Sequence, residues 1–109
     1  MGINQRSRQS WRAKANCVGS PLDIWDYPGQ KHPRDVDVSQ CLQFCHSCPV
    51  ARQCARDAVE AMDSGVIRAG IAIPGAGRTG RKQARSALQL LAMTGNMHAA
   101  RRSAIEATP

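Results

Sequence analysis

The sequence predicts a small all-α domain organised around four cysteines, with a short turn or hairpin and a basic helical tail. The prediction rests on the chain length of 109 residues, a shortage of large apolar side chains, and five cysteines. Leucine, isoleucine, valine and phenylalanine make up 18 residues, about 17% of the chain, whereas folded domains usually exceed about 20%. A core this small generally needs a staple such as a metal or disulfides.

The first third of the chain is predicted to be a short helix followed by a loop. Ser10 is a candidate N-cap for a helix that runs through Cys17. Residues 18–34 contain three prolines and two glycines and are therefore expected to be mostly loop. Trp25 and Tyr27 are expected to pack from this loop onto the core.

Two helices are predicted next, and they meet at Pro49. The first covers residues 40–45 and can be capped by Asp37 or Ser39. The second begins at Pro49, because proline cannot continue a helix but suits its first turn, and it runs to about Met62.

The remainder is predicted to be a hairpin, a linker and two helices. Residues 65–74 have two glycines flanking β-branched residues, which favours a turn or small hairpin. Residues 74–80 are typical of a flexible linker. An amphipathic helix is expected over 81–93 and a last short helix over 97–107.

The net charge of +7 is unevenly placed. Residues 1–65 carry eight basic and seven acidic side chains, whereas residues 66–109 carry seven basic and one acidic. This asymmetry indicates a polyanionic partner, most simply nucleic acid, and the alternative is a basic tail that only confers solubility. We therefore predict a cysteine-containing domain over 1–74 and a basic tail, linker plus short helix, over 75–109. The candidate DNA contacts are Arg78, Arg81, Lys82 and Arg85.

The sequence also predicts a cytoplasmic protein that does not enter a membrane. No stretch is long and apolar enough to span a bilayer, and the N-terminus lacks the apolar run of a signal peptide. In a reducing cytosol, five cysteines indicate metal-binding or redox-active thiols and not a disulfide framework.

Cysteines give the most specific chemical signal. Cys45, Cys48 and Cys54 lie in one short run, and Cys17 lies upstream. Structural zinc usually uses two short paired knuckles, whereas three crowded thiols and one distant thiol suit an iron–sulfur cluster at least as well. Cys41 is either a spare thiol or a small buried hydrophobic residue.

These residues resemble the WhiB-like family of small iron–sulfur transcription regulators over roughly Trp11 to Gly70. The resemblance is carried by the Trp-x-x-x-Ala-x-Cys opening at 11–17, the acidic and aromatic loop at 21–28, and the Cys-x-x-Cys-Pro-Val run at 45–50 followed by Cys54. It differs at 65–70, where the family's tryptophan-containing turn has no tryptophan here.

The resemblance implies a regulator without a small-molecule substrate, and not an enzyme. It implies that Cys17, Cys45, Cys48 and Cys54 ligate a [4Fe–4S] cluster that responds to oxygen or nitric oxide, inside a small helical domain. Cys41 is not expected to be a ligand. The implied partners are the primary sigma factor of RNA polymerase and promoter DNA, the latter contacted by the basic tail.

Two other functions fit the same residues. A structural zinc module could use the same four cysteines and bind nucleic acid through its tail. A thiol–disulfide reductase could use Cys45 and Cys48 in the apo form, with the helix start at Pro49 lowering the pKa of Cys48. The chain lacks the βαβ pattern of thioredoxin-like enzymes, which ranks the reductase last.

Overall fold

The computed structural model describes residues 10–29 and 31–106. Helices in this part of the chain are α1 (Ser39–Cys45), α2 (Ala51–Glu60), α3 (Arg81–Thr94) and α4 (Met97–Glu106). Strands β1 (Val66–Arg68) and β2 (Ile71–Ile73) lie between α2 and α3. Short 3-10 helices at Ser10–Lys14, Leu22–Trp25 and Pro33–Asp35 precede α1.

The fold is mainly helical, but it is not purely all-α as the class prediction stated. The predicted hairpin forms a two-stranded antiparallel sheet in which Ile67 lies opposite Ala72. The central residues of its turn, Ala69 and Gly70, both have positive φ, at 54° and 80°. Turns of this kind match the twist of the flanking strands, and the β-branched residues around them favour extended backbone.

The N-terminal helix is shorter than predicted. It is a 3-10 helix over Ser10–Lys14, and Cys17 lies in the turns that follow. These turns are closed by backbone hydrogen bonds between residues three positions apart, such as the bond from Ser20 N to Cys17 O at 2.9 Å. The side chain of Ser10, which was the predicted cap, lies outside the described residues.

The two central helices form close to the predicted positions. Asp37 Oδ1 accepts a hydrogen bond from Ser39 N at 2.9 Å, which satisfies one free donor at the start of α1. Pro49 lies in the turn before α2, and the helix itself begins two residues later. The helix ends at Glu60, and Met62 has a φ of 56°, so the chain turns close to the predicted helix end at about Met62.

Small residues allow the helices to pack closely around the main core. Alanines from all of α2, α3 and α4 are buried together with leucines of α3 and isoleucines of the hairpin: Ala55, Ala58, Ile71, Ile73, Ala84, Ala87, Leu88, Leu91, Ala100 and Ala104. The helices of the predicted basic tail therefore belong to the packed structure.

A second, smaller core lies under the N-terminal loops. Cys41, Val38 and Ile67 are buried there, and Trp25 and Tyr27 pack against them, as the sequence predicted. No helix in the described part of the chain is long and apolar enough to cross a membrane.

Candidate metal centre

The four predicted ligands, Cys17, Cys45, Cys48 and Cys54, line one cavity of about 290 Å³, which we call the cysteine cavity. Four different elements of the fold supply them. Cys17 comes from the turns after the first 3-10 helix, and Cys45 is the last residue of α1. Cys48 lies in the α1–α2 junction, and Cys54 lies on α2. The fold thus brings together thiols that are up to 37 residues apart in the sequence.

The α1–α2 junction positions Cys45 and Cys48 through two successive tight turns. Cys48 N donates to Cys45 O at 3.2 Å, and Ala51 N donates to Cys48 O at 3.3 Å. Pro49 suits this junction because it has no N–H that would need an acceptor. From there, α2 carries Cys54 along the same side as the two preceding thiols, and all three reach the cavity.

Side-chain hydrogen bonds fix the segment that carries Cys17. Asn16 Nδ2 donates to Phe44 O at 3.1 Å, which joins this segment to the end of α1. Trp25 Nε1 donates to Ser20 Oγ at 2.9 Å and orders the loop after it. These bonds hold Cys17 against the cysteines of the two helices.

Most of the cavity wall is apolar. Trp25 and Phe44 pack with their ring centroids 6.1 Å apart, and Leu22, Val50 and Ile67 also line the space. Such a shell limits solvent access to whatever the thiols hold, and solvent access tunes the reactivity of a thiolate-bound centre.

The thiols disfavour one another's ionisation. Burial is the main cause that raises the pKa of Cys45 to about 12, and the neighbouring thiols of Cys54, Cys41, Cys17 and Cys48 add to it. Burial also raises the pKa of Cys17, again with contributions from Cys54 and Cys48. Metal ligation requires thiolates. Four thiolates are therefore stable in this cavity only around a positively charged group.

Cys41 lies apart from the other four. It is 1% exposed, its thiol donates to Ile24 O at 3.1 Å, and it is not among the residues that line the cysteine cavity. Burial, followed by the proximity of Cys17, raises its pKa to about 11. These contacts suit a small buried side chain better than a ligand.

The candidate donors at this cavity are all sulfur. In residues 10–29 and 31–106, no three histidine, cysteine, aspartate or glutamate side chains form a group that could hold a metal ion. The four thiols are among the sixteen residues that line the cavity of about 290 Å³. Soft sulfur donors around such a space fit an iron–sulfur cluster.

Sequence analysis missed an ion-pair network beside the cavity. Asp57 Oδ2 accepts from Arg12 Nη2 at 2.6 Å and from Arg68 Nη2 at 2.9 Å, and Arg68 also pairs with Asp63. The ionised carboxylate is favoured here: burial opposes it, but the two guanidinium groups lower the pKa of Asp57. The available signal was an arginine inside an otherwise apolar strand, which must find partners when it is buried.

The comparison with protein families shows to which class of protein the chain belongs. The family model for the transcription factor WhiB matches residues 11–88, a span that includes all four cavity cysteines. The chain belongs to the WhiB family of transcription factors. It is therefore not an enzyme, which excludes the reductase alternative. No curated protein and no solved structure gives a significant match.

The WhiB match extends into α3, the helix that carries three of the four predicted DNA contacts. Arg81, Lys82 and Arg85 of α3 and Arg78 of the preceding linker line one cavity of about 430 Å³, which we call the basic cavity. Its other wall comes from α2 and the turn after it, where Met62 O accepts a hydrogen bond from Arg81 Nη2 at 3.4 Å. The structure thus gathers these four side chains on one side of the α2–α3 pair.

Proposed function

We propose that this WhiB-family chain is a cytoplasmic transcription regulator that holds a [4Fe–4S] cluster on Cys17, Cys45, Cys48 and Cys54. The observation that carries the proposal is that these four thiols, from four elements of the fold, line a single cavity. The cytoplasm is proposed because a regulator must meet the transcription machinery.

In this proposal the four cysteines act as thiolate ligands and the aromatic wall controls access. When bound, the cluster supplies the reactivity toward oxygen or nitric oxide. Trp25 and Phe44 set how easily small molecules and water reach it. After loss of the cluster, the Cys17 segment would still be held by the bond from Asn16 to Phe44 O and by the ion pair between Arg12 and Asp57.

The output of the regulator would be contact with the primary sigma factor and promoter DNA. The clustering of Arg78, Arg81, Lys82 and Arg85 around the basic cavity supports a contact with the phosphate backbone. Their positions on one side of the α2–α3 pair would let them reach neighbouring phosphates together.

Purification without oxygen, followed by a visible spectrum and iron and sulfide assays, tests the cluster. We expect a brown protein with about four irons and four sulfides per chain. Cys17→Ala should lose the cluster, whereas Cys41→Ala, the matched control, should keep it. A colourless protein with about one zinc per chain would instead support the zinc module. A full cluster in Cys17→Ala would contradict the ligand assignment.

A further inference from the structure

Arg68 places a positive charge at the cysteine cavity. It projects from β1, and among the described residues that line this cavity it is the only basic one. Its guanidinium donates to Asp57 and Asp63, and Nη2 also approaches Cys54 O at 3.4 Å. Arg68 therefore touches the backbone of one proposed ligand directly.

Two carboxylates hold this guanidinium in place. The Arg68 side chain is only 21% exposed, and an arginine so far removed from water is stable only when it is paired. Asp57 on α2 and Asp63 after α2 bind different nitrogens of the planar group. Such two-point pairing fixes orientation as well as position. The positive charge of Arg68 is thus held at a fixed position in the wall of the cysteine cavity.

We propose that Arg68 is a positioning residue of the cysteine cavity whose fixed positive charge compensates the thiolate-bound cluster and favours its form with one additional electron. This inference rests on the proposed function, since it requires a cluster. Four thiolates give the bound group a net negative charge, and reduction makes it more negative. A cation held in an apolar wall stabilises the more negative form, because electrostatic interactions are stronger where water is excluded.

Reduction in this scheme adds one electron from an external reductant, such as dithionite in the titration below. No bond to Arg68 forms or breaks, and its guanidinium keeps its protons. Its contribution is therefore a difference in electrostatic free energy between two states of the bound group. The measurable quantity is the reduction potential.

The test compares reduction potentials of the holoprotein and four variants by spectroscopically monitored dithionite titration. Arg68→Gln removes the positive charge and should shift the potential to a more negative value. Asp63→Asn removes a neutralising charge, leaves Asp57 in place, and should shift the potential in the positive direction. Arg68→Lys keeps the charge and should stay near wild type. Arg56→Gln, a matched loss of an exposed arginine on α2, should leave the potential unchanged.

The directions in which the reduction potential shifts distinguish an electrostatic effect of Arg68 from a distortion of the site. If Arg68→Gln and Asp63→Asn move the potential in the same direction, a distorted site explains both and the inference is wrong. An unchanged potential in Arg68→Gln also overturns it. If Arg68→Gln holds no cluster, Asp63→Asn decides, since only a positive shift agrees with the inference. A wild-type protein without iron and sulfide would overturn the proposed function itself, and that result is visible before any potential is measured.

Discussion

Gly70 is the position where a single methyl group should most clearly disturb the fold near the cysteine cavity. Its φ of 80° lies in the region that L side chains rarely adopt, and Gly70→Ala would cost about 1–2 kcal/mol for that reason alone. The added Cβ would also stand 3.0 Å from Leu42 Cδ2 and 3.3 Å from Met97 Sδ. Overpacking of this kind costs about 1–3 kcal/mol. Together, the free energy of unfolding should fall by roughly 2–5 kcal/mol.

Gly77 provides the matched control for Gly70→Ala. It has nearly the same φ, 79°, but a Cβ there would meet nothing within 4 Å. Gly77→Ala should therefore show the backbone cost alone, and the difference between the two variants should isolate the crowding against Leu42 and Met97. Denaturant titrations of both variants under the same conditions measure this difference. Equal losses in the two variants would refute the crowding argument.

Two further predictions concern charge. Asp57→Asn should lower the free energy of unfolding by about 1 kcal/mol at neutral pH, because solvent partly screens the pair with Arg12, whose side chain is 48% exposed, and Arg68 keeps its pair with Asp63. In the wild-type protein, the pKa of the Asp57 carboxyl is lowered below the usual 3.8. The ion pairing therefore stabilises the fold above pH 3.8, and this stabilisation is lost as the pH falls through the folded-state pKa of Asp57. Denaturant titrations at several pH values should show the stabilities of wild type and variant converging in acid. The double variant R78Q/K82Q should reduce the salt slope of promoter binding by about two in anisotropy titrations. An equal reduction in Lys31→Gln, outside the basic cavity, would contradict this site.

Sequence reasoning located the elements and the cysteines because those signals are local. Proline and glycine mark the turns, and the spacing of Cys45, Cys48 and Cys54 within a few residues indicates one site. The helical periodicity of α3 is likewise visible in its own residues. Each of these depends on a short stretch of sequence, so the structure could confirm the helices and the hairpin.

Contacts between residues that are distant in the sequence could not be predicted from local patterns. Arg12 and Asp57, which form an ion pair, are 45 positions apart, and no short sequence pattern indicates this pairing. The partners of α3 and α4 in the main core were also not predicted, because the amphipathic pattern of α3 indicates a buried face without showing which residues cover it. Alanine contributes little apolar area, but its small side chain lets helices approach closely. Ala84 and Ala87 are buried in the core of the protein in this way.

The short hairpin connects the cysteines to the basic helix. Arg68 reaches Cys54 O, and the turn at Gly70 lies against Cys45, whose Cβ would be 3.8 Å from an added methyl group. The next strand packs its isoleucines against Leu88 of α3, the helix that carries Arg81, Lys82 and Arg85. The β1–β2 hairpin thus packs against residues of the cysteine cavity on one side and against the helix that lines the basic cavity on the other. We predict that Gly70→Ala lowers promoter affinity in anisotropy titrations, although it changes no basic side chain, because it disturbs the element packed between the two cavities. An affinity equal to that of wild type would contradict a link through the hairpin.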